Sequence, residues 1–430
     1  MFTSIKAMWT NKDIRNRILF TLFAFLVYRL GSAITVPDVN TADLVAGMSD
    51  NSLFAMMNLL GGGGLEQFSV FALGVSPYIT ASIIIQLLSM DVIPSLSELS
   101  KSGATGRKTL DKYTRYLAVV FAFVQSITLV YGFSKTYTGL IVGGSSIAKI
   151  LYIATIFSAG TMFLVWIGDQ ISVKGIGNGV SMVIMAGIVG RLPKQFTTAY
   201  STLAGADSTV ENGVALFVGY ILVYLLIIIF VTLINSAERK IPIQYTSSSI
   251  ALSKQSKSSY LPLKVNSASV IPVIFASSIM MAPLQIANFF PTNDFIRGMT
   301  KWLGMQTWYS LVIYVLLIIF FTFFYTEMQI NPEKVAENLG KSGAYIPSVR
   351  PGTETKDYIS HVLYRITVFG CIALALVAVL PHVMPLIWTD MPSTMALGGT
   401  GLIIVVGVAI ETVKQVQGLI TQKSYKQYFE

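Results

Sequence analysis

The sequence predicts an all-α polytopic membrane protein, on three observations. Hydrophobic residues make up 53% of the chain and charged residues only 12%, against about 25% charged in an ordinary soluble domain. The mean hydropathy is +0.65. Apolar stretches of spanning length recur roughly ten times, and they are continuous, without the period-two alternation of a membrane barrel.

These stretches run at about 18–36, 68–90, 116–134, 147–167, 178–192, 213–235, 267–290, 308–328, 361–381 and 398–418. Residues 1–17 are polar and basic, with no small-residue cleavage site after the first apolar run, so the first span is expected to be retained. With the N-terminus placed in the cytoplasm, 23 of the 30 Lys and Arg residues fall on that side. Arg29, Lys135, Lys149, Arg191, Lys194, Arg297 and Lys301 fall on the other. An even number of spans then puts both termini inside. The net charge of +9 follows from that asymmetry, and the basic loops can also hold an acidic partner.

Two of those loops, about 238–265 and 329–359, exceed what a connector needs. In the second, Asn331-Pro332 predicts a helix start and Gly340 its end; Pro347, Pro351 and Gly352 stiffen a basic tip around Arg350.

The second span reads "SPYITASIIIQLL" (76–88) and the seventh "IPVIFASSIMMAP" (271–283). With Pro77 aligned to Pro272, the frame P-x-I-x-A-S-x-I repeats: Ile79/Ile274, Ala81/Ala276, Ser82/Ser277, Ile84/Ile279. An offset of five spans inverts the second copy. Two inverted five-helix halves are therefore predicted, 1–205 and 206–430. Proline is expected to free a backbone carbonyl near the start of each span, and the small residues to permit close helix approach.

"LLGGGGLEQFSVFALGVSP" (59–77) holds a semi-apolar segment between the tetraglycine and Gly74. Residues 65–73 are too short to span and are read as a re-entrant element enclosed by protein.

Several function classes lose support. No Gly-Lys-Ser/Thr follows the glycines, and "GIGNG" (175–179) has no preceding strand, so neither is a nucleotide loop. A lone Cys371 excludes a disulfide framework, and His361 and His382 do not make a metal site. An intramembrane enzyme lacks a catalytic constellation. A secondary transporter would want a charged midplane, whereas Arg29, Asp169 and Glu411 fall near span ends, leaving Gln86 and Gln125 as the notable polar residues within spans. A midplane of Ile and Val suits a dewetting constriction.

"GGGGLEQFSVFALGVSPYITASIIIQLL", "GIGNGVS", "LPLKVNSASVIPVIFASS", "NPEKVAENLGKSGAYIPSVRPG" and "GGTGLIIVVGVAIET" together resemble the bacterial SecY family, the central subunit of the protein-conducting channel. The resemblance covers about residues 10–425 and is to the housekeeping members of Gram-positive bacteria. It implies ten helices with a lateral gate toward lipid. It puts a pore ring on Ile79, Ile83, Val180, Ile184, Ile274 and Ile404; valine at 180 departs from the usual isoleucine.

The implied plug is Gly61, Gly62, Gly63, Gly64, Leu65, Glu66, Gln67, Phe68, Ser69, Val70 and Phe71, extending to 73. Polar gate contacts are expected from Ser82, Gln86, Gln125, Ser277 and Ser278. Arg350, Pro351 and Gly352, with Arg239 and Lys240, would dock the motor ATPase SecA or the ribosome. The serine- and lysine-rich loop between Tyr245 and Leu261 departs from the family pattern. Other implied partners are SecE, SecG, signal peptides, nascent chains and the lipid bilayer. The implied location is the bacterial cytoplasmic membrane. No cofactor is implied, and no enzymatic activity.

Overall fold

The computed structural model describes residues 9, 11–40, 63–90, 92–136, 139–144, 146–204, 213–245, 260–287, 298, 302, 307–387 and 398–429. Among these, the long helices are α1 (Lys12–Ala33), α2 (Ser76–Leu88), α4 (Ala104–Thr136), α5 (Ile147–Lys174), α6 (Gly179–Ala204), α7 (Gly213–Ser236), α8 (Ile271–Ala287), α9 (Trp308–Gln329), α11 (Thr353–Ile387) and α12 (Gly398–Phe429). Two short helices, α3 (Pro94–Lys101) and α10 (Pro332–Lys341), lie in loops. Six of the helices are long and apolar enough to cross a membrane; α2 and the described apolar part of α8 are shorter. On α7, Leu222, Leu226 and Ile229 are each about 60% exposed, an apolar flank that water would not tolerate and lipid would.

The ten long helices form two sets of five with one packing pattern. In the first, α1 packs on α5 and α6, α2 on α4, α4 on α5, and α5 on α6. In the second, α7 packs on α11 and α12, α8 on α9, α9 on α11, and α11 on α12. Each pairing has its counterpart when α1, α2, α4, α5 and α6 are matched in order to α7, α8, α9, α11 and α12. Across the sets, α2 meets α8, α6 meets α12 and α7, and α4 meets α8.

The repeated frame extends further upstream than the sequence reading found. At the same offset, Val70 matches Val265, Gly74 matches Ser269 and Val75 matches Val270. Gly74 has φ 56° and Ser269 φ 55°, the same left-handed turn. The Gly74 N–H donates to Phe71 O (2.8 Å) and the Ser269 N–H to Asn266 O (3.4 Å). Each Val carbonyl then rests on a helix glycine. A Cβ on Gly160 of α5 would lie 2.0 Å from Val70 O, and one on Gly370 of α11 would lie 2.6 Å from Val265 O. Since α5 and α11 are matched helices, the two copies share one entry motif.

Four details differ from the sequence reading. The second span is helical only from Ser76, and residues 63–75 before it are turns. Pro77 and Pro272 stand in the first turn of α2 and α8, where no intrahelical N–H bond is lost, so they start these helices and do not open them. Helix α6 continues through Pro193 to Ala204, well past the apolar stretch that ended at 192. Helix α10 has the expected Asn331 cap, whose side chain accepts from the N–H groups of Glu333 and Lys334. It ends at Lys341, with the left-handed residue at Gly343 (φ 65°) and not at Gly340.

The all-α reading also misses two strand pairs in the long loops. β1 (Glu238–Pro242) pairs antiparallel with β3 (Tyr260–Lys264), and β2 (Gln244–Tyr245) with β4 (Ala344–Tyr345). Ile241, Leu263, Leu339, Ala344, Ile346, Ile359 and Leu363 pack beneath them as a separate small core.

Candidate functional site: an apolar neck, its cover and its seam

The four helices carrying the candidate ring, α2, α6, α8 and α12, are two matched pairs that meet across the pseudo-two-fold. Ile79 and Ile83 of α2, Ile184 of α6, Ile274 of α8 and Ile404 of α12 are all buried in one apolar cluster, and Val180 packs against it. Val180 Cγ2 lies 3.4 Å from where a Cβ on Gly168 of α5 would stand, so its shorter side chain sits on a close helix crossing. β-branched side chains restrict rotation at χ1 and hold such a cluster to one shape.

The turns at 63–75 lie against this cluster. Phe71 and Val75 belong to it. The Phe71 ring stacks on Tyr28 (6.1 Å, 4°) and Phe163 (6.1 Å, 17°) and fills the space over Gly31, where a Cβ would come within 2.0 Å of it. Phe68, fully buried at φ 46°, meets Phe133 (5.5 Å) and Phe157 (5.4 Å) in a second cluster with Leu65. Backbone bonds tie the segment to the chain after α1: the Val36 N–H donates to Phe68 O and the Val70 N–H to Ile34 O, both at 3.0 Å. Glu66 bridges Arg191 (3.7 Å) and Lys194 of α6. Gly63 and Gly64 are in place, and Gln67 and Ser69 are exposed and buried respectively. Gly61 and Gly62 lie outside the described residues.

Helices α2, α4 and α8 pack on one another. The Gln86 Nε2 donates to Ser82 Oγ (2.9 Å) one turn away, and Ser277 Oγ donates to Ile274 O (2.8 Å). Gln86 Oε1 on α2, Gln125 Oε1 on α4 and Ser278 Oγ on α8 are buried without a hydrogen-bond partner. Each such atom costs about 1–3 kcal/mol, so this seam is held less firmly than a fully satisfied one.

At the basic end, Arg239 and Lys240 are exposed on β1, opposite Leu263 and Pro262, with the Lys240 ammonium 4.7 Å from the Tyr260 ring centroid. Arg350 projects with its side chain 88% exposed and 3.8 Å from Glu354. Its backbone is fixed: Thr355 Oγ1 donates to Arg350 O (2.8 Å), and its N–H donates to Glu354 Oε2 (3.3 Å). Exposed Pro351 and Gly352 (φ 107°) follow in the tip. The pairing of β2 with β4, and a Tyr345 Oη to Gln244 Oε1 bond of 3.0 Å, joins both long loops into one unit. Residues 246–259 lie outside the described residues.

The sequence reading missed the work of 175–179. This turn is braced from both sets of helices. Arg17 Nη1 donates to Gly175 O (3.3 Å), and the Ile176 N–H donates to Thr21 Oγ1 (3.1 Å). The Gly177 N–H, at φ 85°, donates to Gln415 Oε1 of α12 (2.8 Å). Arg115 to Asp169 (3.1 Å) likewise links α4 to α5. The only sequence signal for this brace is the close spacing of glycines.

A multi-pass bundle with a shared apolar neck and a cover of turns defines the class: a membrane channel built of two inverted halves. The SecY family profile matches residues 69–413. The chain is 44% identical to a SecY 1 protein translocase subunit of Lactobacillus kefiranofaciens over 99% of both chains. It is 43% identical to the SecY subunit of Bacillus subtilis over the whole of both. Two solved structures share the fold: a protein-conducting channel (TM-score 0.65, 17% identity, 94% of this chain and 92% of that one) and Sec61 in the canine ribosome–channel complex (TM-score 0.62, 18%, 94% and 92%). The chain belongs to the SecY family.

Proposed function

We propose that the chain is the central subunit of a protein-conducting channel. It passes secretory polypeptides across the bacterial cytoplasmic membrane and releases apolar segments sideways into lipid. The observation that carries this reading is the neck, where four helices from both halves bring branched aliphatic side chains into one cluster beneath a non-helical cover.

A translocating chain presents every side-chain chemistry in turn. A neck that offered charge or fixed hydrogen bonds would hold some of them, whereas Ile79, Ile83, Val180, Ile184, Ile274 and Ile404 bind none strongly and exclude water and ions when closed. Residues 61–73 act as the plug. The halves, 1–205 and 206–430, part along the seam of α2 and α4 against α8 and α9, with Ser82, Gln86, Gln125, Ser277 and Ser278 as its polar contacts. They stay joined where α6 meets α7 and α12. An apolar signal peptide or membrane span in the nascent chain leaves through the seam, driven by roughly 25 cal/mol per Å² of apolar area transferred.

The chain has both termini in the cytoplasm, in agreement with the basic asymmetry. It performs no catalysis itself. SecA or a translating ribosome supplies the energy and docks on Arg350, Pro351, Gly352, Arg239 and Lys240; SecE and SecG complete the membrane complex. The test is a disulfide across the seam. The double variant Ser82→Cys with Ser277→Cys is expected to crosslink in the resting state and block translocation until reduced. Free translocation through the crosslinked pair would refute the gate.

A further inference from the structure

We propose that Glu66, Arg191 and Lys194 form an ionic latch that positions residues 63–75 over the neck in the resting state, separately from the apolar contacts that shape the segment. The proposal rests on the channel reading above and adds to it which contacts release the cover.

Two kinds of anchor hold the segment. The apolar anchors are Phe68 against Phe133 and Phe157, and Phe71 against Tyr28, Gly31 and Phe163, all on α1, α4 and α5. The ionic anchor reaches a different helix. Glu66 Oε2 lies 3.7 Å from Arg191 Nη2 of α6, and Glu66 Oε1 contacts Lys194 Nζ. The side chains of Glu66 and Arg191 are 17% and 25% exposed, that of Lys194 64%. Arg191 also lies along the segment's backbone: a Cβ on Gly63, at φ 88°, would be 3.1 Å from Arg191 Cδ. Arg29 Nη1 of α1 lies 3.3 Å from the Cβ position of Gly190, so α1 also reaches this stretch of α6.

The second copy of the entry motif separates latch from fold. The left-handed turn at Ser269, its bond to Asn266 and the seat on Gly370 are all present there. The position matching Glu66 is Leu261, in β3. The turn therefore forms without an ion pair, and the one at Glu66 fastens a finished turn to α6. Its Lys194 side, 64% exposed, is open to water and to a passing charged chain, which can replace an ionic contact but not an apolar one.

The test is hydrogen–deuterium exchange of the full chain in lipid nanodiscs, followed at residues 63–75, for Glu66→Gln, Lys194→Gln and the double variant. Each single variant is expected to raise exchange there roughly three- to tenfold, leaving α2 unchanged. The double variant is expected to exceed either single by much less than their product, since a direct pair is lost once. Exchange at the unsubstituted rate, or strictly multiplicative effects, overturns the latch. Ion conductance of the resting channel in planar bilayers, measured on the same variants, keeps the two readings apart. Raised exchange with raised conductance supports both. Raised exchange with unchanged conductance upholds the latch and removes the plug reading of 63–75.

Discussion

Residues 70–84 and 265–279 are one motif used twice, and their differences locate the specialised parts of the molecule. Both make a left-handed turn, rest a valine carbonyl on a helix glycine, start a helix on proline and send an isoleucine into the shared cluster. What precedes them differs. The first copy follows an aromatic, ion-paired run of turns; the second follows strand β3, and Asn266 Nδ2 donates to Asn235 Oδ1 (2.8 Å) in place of the Phe71 stack. The shared part builds the neck and its seam. The unshared parts are the run of turns against the apolar cluster and the strand-paired basic loops.

The largest effect on stability should come from the seats. Gly160→Ala places a Cβ 2.0 Å from Val70 O, and Gly370→Ala places one 2.6 Å from Val265 O. Backbone must move in both, at about 1–3 kcal/mol, partly offset by about 1 kcal/mol of helix propensity. Thermal unfolding in detergent should rank Gly160→Ala as the more destabilised; neutrality of both would break the shared motif. Next come the matched ring residues. Ile79→Asn and Ile274→Asn bury an amide at about 1–3 kcal/mol, and both should raise resting ion conductance and relax signal-sequence discrimination to a similar degree. An effect at one position only would make the neck asymmetric.

The turn residues should then move in opposite directions. Gly74→Ala puts a Cβ at φ 56° and is expected to cost about 1 kcal/mol, whereas Ser269→Gly relieves φ 55° and should gain a few tenths. Chemical unfolding midpoints would show the split. The smallest effect on stability belongs to Arg350→Glu, within about 0.5 kcal/mol because the side chain is exposed. It should nevertheless impair SecA-driven translocation, and normal secretion would remove that docking role.

The helices were legible because lipid demands long apolar runs. The repeat was legible at Pro77/Pro272 and the residues after it, which are alike in type. Its upstream part was not, because Gly74 and Ser269 differ in type and share only a dihedral angle. The strand pairs were hidden because β1 and β3 are held by partners more than fifteen residues away. Apolar content ended the fifth span at 192, while packing of Phe196 against Tyr220 and Tyr224 carries α6 onward. Of the site, the isoleucine positions came from the family resemblance, and Gln86 and Gln125 stood out as polar residues within apolar spans. The Glu66–Arg191 contact joins residues 125 positions apart and left no local pattern.

The central claim is that a moving polypeptide passes between Ile79 and Ile274. A photocrosslinker placed singly at Ile79, Ile274 or the exposed Leu222 of α7, with a secretory chain stalled in transit, tests it directly. The account expects adducts from the first two positions and none from the third. Adducts at Leu222 with none at Ile79 and Ile274 would contradict it.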